Sequence, residues 1–161
     1  ISDWALAEDL GVSVAEAKAY IEGYLARFAG VRAYRENIVA EGREKGYVTT
    51  LLGRRRPLPE LHSKNFNIRT GAERMALNTP IQGAAADIIK VAMLRVDGAL
   101  RRQALQARLV LQIHDELIVE CPPWEAELVM QIVTEEMARA MELAVPLKAE
   151  AKMGATWYEA K

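Results

Sequence analysis

The sequence carries one cysteine, Cys121, in 161 residues. A single thiol excludes an internal disulfide and fits a reducing compartment, so a cytoplasmic location is expected. No apolar run reaches membrane-spanning length, and no stretch has the make-up of a secretory signal. A dominant charge is lacking too: 21 basic residues face 22 acidic ones, for a net charge of −1. Bulk charge therefore does not announce a nucleic-acid binder. Internal repeats, low-complexity tracts and linkers are absent. The chain opens on Ile1 rather than Met, with a helical pattern at once, so a piece of something longer is expected.

What is present is globular. Hydrophobic residues make up 51% of the chain, enough for one domain with a core or for two small lobes. Charge is concentrated locally. Between residues 54 and 74, Arg54, Arg55, Arg56, Lys64, Arg69 and Arg74 outnumber Glu60 and Glu73, which makes a usable anion-facing patch or an ordinary solvated face. The most informative stretch runs from Leu109 to Cys121. Two short aliphatic runs flank His114-Asp115-Glu116, which predicts a buried β-hairpin with an acidic turn. Leu109, Leu111 and Ile113 share one face, and Leu117, Val119 and Cys121 share another. Such turns usually favour Gly, Asn or Asp. Two carboxylates and an imidazole there suit a metal site; a solvated turn without a task is the plain alternative.

The remaining elements follow from periodicity and caps. Residues 2–10 predict a helix closed by Gly11. Ser13 and Glu16 form a capping box that starts a helix over 13–28, with Val14, Ala17, Ile21, Tyr24, Leu25 and Phe28 as its buried side. Gly30 should break it, and a helix over 31–45 should use Val31, Tyr34 and Ile38. Tyr47–Leu52 and the segment after Gly53 predict a small hairpin presenting Arg54, Arg55 and Arg56, whose planar forks suit phosphate. His62 reads as a surface residue. A helix from 65 should stop before Pro80, and a second should run over 81–102 with Ala85, Ile89, Ala92, Met93, Val96 and Leu100 buried. Gln82 and Asp87 fall off that stripe. The small run Gly83–Ala86 permits close approach of another backbone, of a nucleic-acid groove, or of a sheet in plain packing. A helix over 124–141 buries Val129, Ile132, Val133, Met137 and Ala140. Leu147–Met153 alternates as a strand, and Trp157 and Tyr158 should pin the tail.

Five blocks in order carry a resemblance: Gly46-Tyr47-Val48; Gly53-Arg54-Arg55-Arg56; Glu73-Arg74-Met75-Ala76-Leu77-Asn78; Pro80-Ile81-Gln82-Gly83-Ala84-Ala85-Ala86-Asp87; and Gln112-Ile113-His114-Asp115-Glu116. Together they resemble the C-terminal part of the polymerase domain of family A DNA polymerases, the bacterial DNA polymerase I type, over essentially the whole chain. The last block is similar to the family's motif C, with Ile113 where valine is usual. The resemblance implies an α+β fold: residues 1–79 as the remainder of a fingers subdomain, and 80–161 as the C-terminal part of a palm. It implies Asp115 and Glu116 as catalytic carboxylates at a two-ion magnesium site with half of its ligands here. It also implies His114, Gln82, Asn78 and Arg74 at the primer terminus, and Arg54, Arg55 and Arg56 on template or primer phosphates. The other metal-binding aspartate and most of the nucleotide site would lie upstream of Ile1. The implied partners are primer-template DNA and a deoxynucleoside triphosphate, with self-association through an exposed sheet edge in the piece itself.

Two other classes compete with template-directed DNA synthesis. A metal-dependent nuclease or phosphatase would need a further carboxylate beside Asp115, Glu116 and His114, such as Asp87, Glu120 or Glu150. A non-catalytic DNA-binding module would use the arginines alone.

Overall fold

The computed structural model describes residues 1–160, and its first two helices start at serines. Ser2 accepts a hydrogen bond from the Ala5 amide at 3.2 Å and opens α1 (Asp3–Leu10). Gly11 closes it at φ 66°, a left-handed conformation that glycine adopts without a Cβ clash. Ser13 opens α2 (Val14–Arg27) with both halves of the expected capping box in place. The break after α2 is not at Gly30. It falls at Phe28 (φ −111°, ψ 68°), and Gly30 lies inside α3 (Ala29–Lys45). Gly46 ends α3 in the left-handed region, as the Lys45-Gly46 pair predicts.

The described residues divide into two compact units, one of residues 1–49 and 55–80, the other of 50–54 and from 81 onward. In the first, α1, α2 and α3 pack in succession. A small antiparallel ladder joins β1 (Tyr47–Thr49) to β2 (Arg55–Pro57), pairing Tyr47 with Pro57 and Thr49 with Arg55. The core is Val48, Leu58, Leu61, Ala72 and Ala76, with Ile38, Val39 and Met75 against it. The large side chains expected to bury α2 and α3 do not do so. Ala17 is the buried residue of α2, while Tyr24, Phe28, Val31 and Tyr34 are exposed. Tyr24 and Phe28 cover each other instead, with ring centroids 4.8 Å apart. A small residue at the contact lets the helices approach, and the large ones are left on the outer side.

Pro80 does not end a helix. α4 runs unbroken from Phe66 to Arg102 with Pro80 inside it. Proline removes the amide that would meet the Ala76 carbonyl, a defect of about 3 kcal/mol in an isolated helix. Packing on both sides outweighs it: Ala72 and Ala76 are buried before the proline, and Ala84, Ala92, Val96, Ala99 and Leu100 after it. The Thr79 hydroxyl braces the preceding turn by donating to the Met75 carbonyl at 2.6 Å.

In the second unit Ala92, Val96 and Leu100 of α4 are buried as expected, and the difference lies at the start of the segment. Ala84 and Asp87 are buried, whereas Ala85 is exposed. The helix ends in a Schellman arrangement: Leu105 N–H donates to the Leu100 carbonyl and Ala104 N–H to that of Arg101, with Ala104 at φ 51°. The Glu125 carboxylate accepts the amides of Gln106 and Ala107 at 3.0–3.1 Å and so fixes the entry to the next strand. That strand, β3 (Arg108–Ile113), pairs antiparallel with β4 (Glu116–Glu120), with a bulge between Leu109 and Leu111. Leu117, Val119 and Cys121 pack on a core of Val96, Ala99, Leu100, Ala107, Val129, Ile132 and Val133. The ribbon is not buried on both sides as expected. Val110 and Leu111 are 52% and 46% exposed, because a two-stranded ribbon with one helical backing covers one face only.

The expected start at Trp124 is a short 3-10 turn, Pro123–Glu125, and α5 follows from Ala126 to Ala138. Leu147–Met153 forms no strand, although Leu147, Ala149 and Ala151 are half-buried between exposed neighbours. The alternation is present, but a strand needs a ladder partner, and none lies beside it among the described residues. Tyr158 does not pin the tail; it is exposed. The class is α+β: helices with two separate two-stranded antiparallel sheets.

Candidate active site

The β3–β4 hairpin is closed by two residues, His114 and Asp115, between the paired Ile113 and Glu116. His114 has φ 51°. A two-residue hairpin turn needs a positive φ at its first position, where glycine is the comfortable residue. A histidine held there carries strain on the order of 1–3 kcal/mol, and such strain concentrates at functional sites. The structure retains it with a brace: Gln112 Nε2 donates to the His114 carbonyl at 2.7 Å. The opposite face is seated by Leu117 and Val119 on the core of the second unit. The turn is therefore held from both strands.

His114, Asp115 and Glu116 are all exposed. Neither carboxylate has a hydrogen bond or ion pair with another described residue. That contrasts with the acids used for structure. Glu125 takes two amides, Glu136 takes Arg95 and Arg102, and Glu73 takes Arg43. The hairpin tip presents two adjacent, uncommitted oxygen donors on a backbone that is fixed. Hard oxygen donors suit magnesium, which keeps several waters and needs only one or two protein carboxylates from a given segment. No group of three or more His, Cys, Asp or Glu gathers among the described residues.

The other expected site residues fall in two sets. Arg74 and Asn78 are exposed and four residues apart on α4, so they share a side of that helix, and Gln82 is exposed as well. Arg74 and Asn78 belong to the first unit, Gln82 to the second. The arginine run is not a uniform patch. Arg55 lies over the Tyr47 ring, 4.8 Å from its centroid. Arg56 reaches the Thr79 hydroxyl at 3.4 Å and the Met75 sulfur at 3.3 Å. Arg54 is paired with Asp87.

Asp87 is the residue that periodicity misses. It is 3% exposed, and it accepts from the Thr50 hydroxyl, the Leu52 backbone and the Arg54 guanidinium. The Thr50 hydrogen bond, with the Arg54 charge behind it, holds its carboxyl below the usual range against the opposing effect of burial. Its contribution to stability is complete above the ordinary carboxylate range and is lost as pH falls through the lowered value. A further trace lies one turn earlier. A Cβ on Gly83 would meet Thr50 Cγ2 at 2.3 Å, so the small run on α4 makes room for the Thr50–Arg54 turn. The signal available in the sequence is a glycine and an acid four residues apart.

Comparison with known proteins identifies the family of the chain. The family model described as DNA polymerase family A matches residues 1–159. DNA polymerase I of Bacillus caldotenax is 56% identical over 161 residues, all of this chain and 18% of that protein. DNA polymerase I of Bacillus subtilis is 54% identical over the same length, again 18% of that protein. The chain thus spans under a fifth of these relatives. Among solved structures, the polymerase domain of Pol1 from M. smegmatis, in complex with DNA primer-template and dNTP, superposes with a TM-score of 0.91 at 48% identity. It is matched over 99% of this chain and 28% of its own. This chain belongs to DNA polymerase family A.

Proposed function

We propose that the chain is the C-terminal part of the polymerase domain of a template-directed DNA polymerase, which adds deoxynucleotides to a primer 3′ end in DNA replication and repair. Residues 1–79 are read as the remainder of the fingers and 80–161 as the C-terminal part of the palm. The single observation that carries the reading is the pair of exposed, uncommitted carboxylates on a strained and braced hairpin tip, in a chain matched to the family along 1–159. Asp115 is the residue that holds magnesium, with Glu116 as a less direct second carboxylate. When bound, the metal ions offset charge on the triphosphate and lower the pKa of the primer hydroxyl. A cytoplasmic location is part of this proposal, supported by the proposed role on DNA; no described helix is long and apolar enough to cross a membrane.

The remaining residues bind and orient DNA. His114, Gln82 and Arg74 can donate, and Asn78 can donate or accept. The minor-groove edge of every correct base pair offers an acceptor at a common place, so donors there test pair shape without reading sequence. The arginine run faces primer or template phosphates, which position the duplex. A nuclease or phosphatase centre within this chain needs a third carboxylate, and one of the candidates, Asp87, is buried and committed to Thr50 and Arg54.

The test is primer extension with magnesium by the full-length polymerase carrying this segment and by the 161-residue chain alone. The first is expected to extend the primer. The second is expected to give no extension, because one of two metal-binding aspartates and most of the triphosphate site lie outside it. Extension by the chain alone at a rate near that of the full-length protein would falsify this reading. The chain alone is also expected to self-associate. Among the described residues the edges of the two-stranded ribbon are unpaired, and Val110 and Leu111 are exposed. Light scattering should show a mass that rises with concentration; a monomer throughout contradicts it.

A further inference from the structure

Three arginines stand in a row, yet their charges are not equally available. Asp87 draws three donors from one five-residue turn: the Thr50 hydroxyl, the Leu52 backbone and the Arg54 guanidinium. The turn is closed on itself by Thr50 N–H to the Arg54 carbonyl and by Gly53 N–H to the Thr50 carbonyl, both at 3.0 Å. The Arg54 amide also donates to Thr50 Oγ1 at 3.2 Å. Gly83 provides the seat, since any side chain there would strike Thr50. Arg55 and Arg56 have nothing comparable. Their contacts are an aromatic face, a hydroxyl and a thioether, all neutral. Among the described residues no carboxylate pairs with either.

We infer that Asp87 is a buried anchor that withdraws Arg54 from phosphate binding, so the run offers DNA two charges, those of Arg55 and Arg56, rather than three. The reason is the asymmetry of the pair: the Arg54 side chain is 48% exposed, but the Asp87 carboxylate that it neutralises is buried. If Arg54 turned to a phosphate, a carboxylate with almost no solvent access would be left without its cation, which is far costlier than breaking a solvated pair. Arg55 and Arg56 give up no ion pair when they meet a phosphate. Arg55 can also keep its ring contact, because a guanidinium stacked on an aromatic face still has its edge N–H groups free. Arg54 and Asp87 are then positioning residues that hold the Thr50–Arg54 turn against α4. This inference rests on the proposed reading of the run as DNA-facing.

The salt dependence of primer-template binding by the full-length polymerase separates the roles, because the slope of log K against log salt counts neutralised phosphates and not fold stability. Each phosphate contact is worth about 0.9 in that slope. Arg55→Ala and Arg56→Ala are each expected to reduce the slope by about 0.9. The double variant Arg54→Ala/Asp87→Asn removes both members of the pair and leaves no unpaired buried charge, so it guards against simple unfolding. Its slope should match the parent's. A loss in the double variant equal to that of Arg55→Ala overturns the inference alone. A slope unmoved by all three variants overturns the DNA-facing reading of the run, and the inference falls with it.

Discussion

Asp115→Ala in the full-length polymerase is expected to lower nucleotide addition by at least about a thousandfold, with primer-template affinity kept within a few-fold. The two halves of this expectation have different physical sources. Lewis-acid stabilisation of a transferring phosphoryl group contributes several kcal/mol, and each 1.36 kcal/mol is about tenfold in rate. Asp115 is exposed and has no hydrogen bond or ion pair with another described residue, so its removal leaves no orphaned partner and no cavity. Duplex affinity depends on phosphate contacts made by cationic side chains, and a lost carboxylate does not weaken those. Glu116→Ala should have the smaller effect of the two, since its role is the less direct. Single-turnover primer extension with a parallel binding isotherm checks the pair. Weakened binding with unchanged turnover per bound complex would contradict the assignment of Asp115 to the chemistry.

The hairpin was legible because its two signals agree. Aliphatic runs of strand length and a charged interruption of turn length leave little choice of topology, although the turn is His114-Asp115 alone and Glu116, read as part of it, pairs with Ile113 as the first residue of β4. The capping box at Ser13 and the left-handed Gly11 and Gly46 were equally readable, because a cap is a local device. Misreadings fall where distant packing outweighs a local signal. Pro80 is a strong local stop, but α4 carries through it on alanines buried to either side. Asp87 is polar and so reads as solvent-facing, yet a turn more than thirty residues away folds onto it. Leu147–Met153 has the alternation of a strand and lacks only a partner, which no pattern within the segment can reveal. For the candidate site, residue chemistry and spacing single out the acidic tip and the arginine run as candidates. What they miss is which arginine is already neutralised, since that depends on a pairing across the fold.

Leu100→Ala should destabilise the chain by about 2–5 kcal/mol, whereas Leu111→Ala should change stability by less than about 0.5 kcal/mol. Both remove the same atoms from the same unit. Leu100 is 2% exposed and lies among Val96, Ala99, Ala107, Val129, Ile132 and Val133, so its truncation leaves a void that rigid neighbours cannot fill. Leu111 is 46% exposed on the open face of the ribbon and leaves no void. The difference reaches function through the hairpin. Leu117 and Val119 of β4 rest on the cluster that contains Leu100, so loosening it loosens the support of the turn that carries Asp115. Urea titration of each variant of the chain measures the first effect. Amide exchange at Leu117 and Val119 measures the second, with faster exchange expected for Leu100→Ala and none for Leu111→Ala. Equal urea midpoints for the two variants would mean that the ribbon is not seated on this core, and the rigidity claimed for the acidic tip would lose its source.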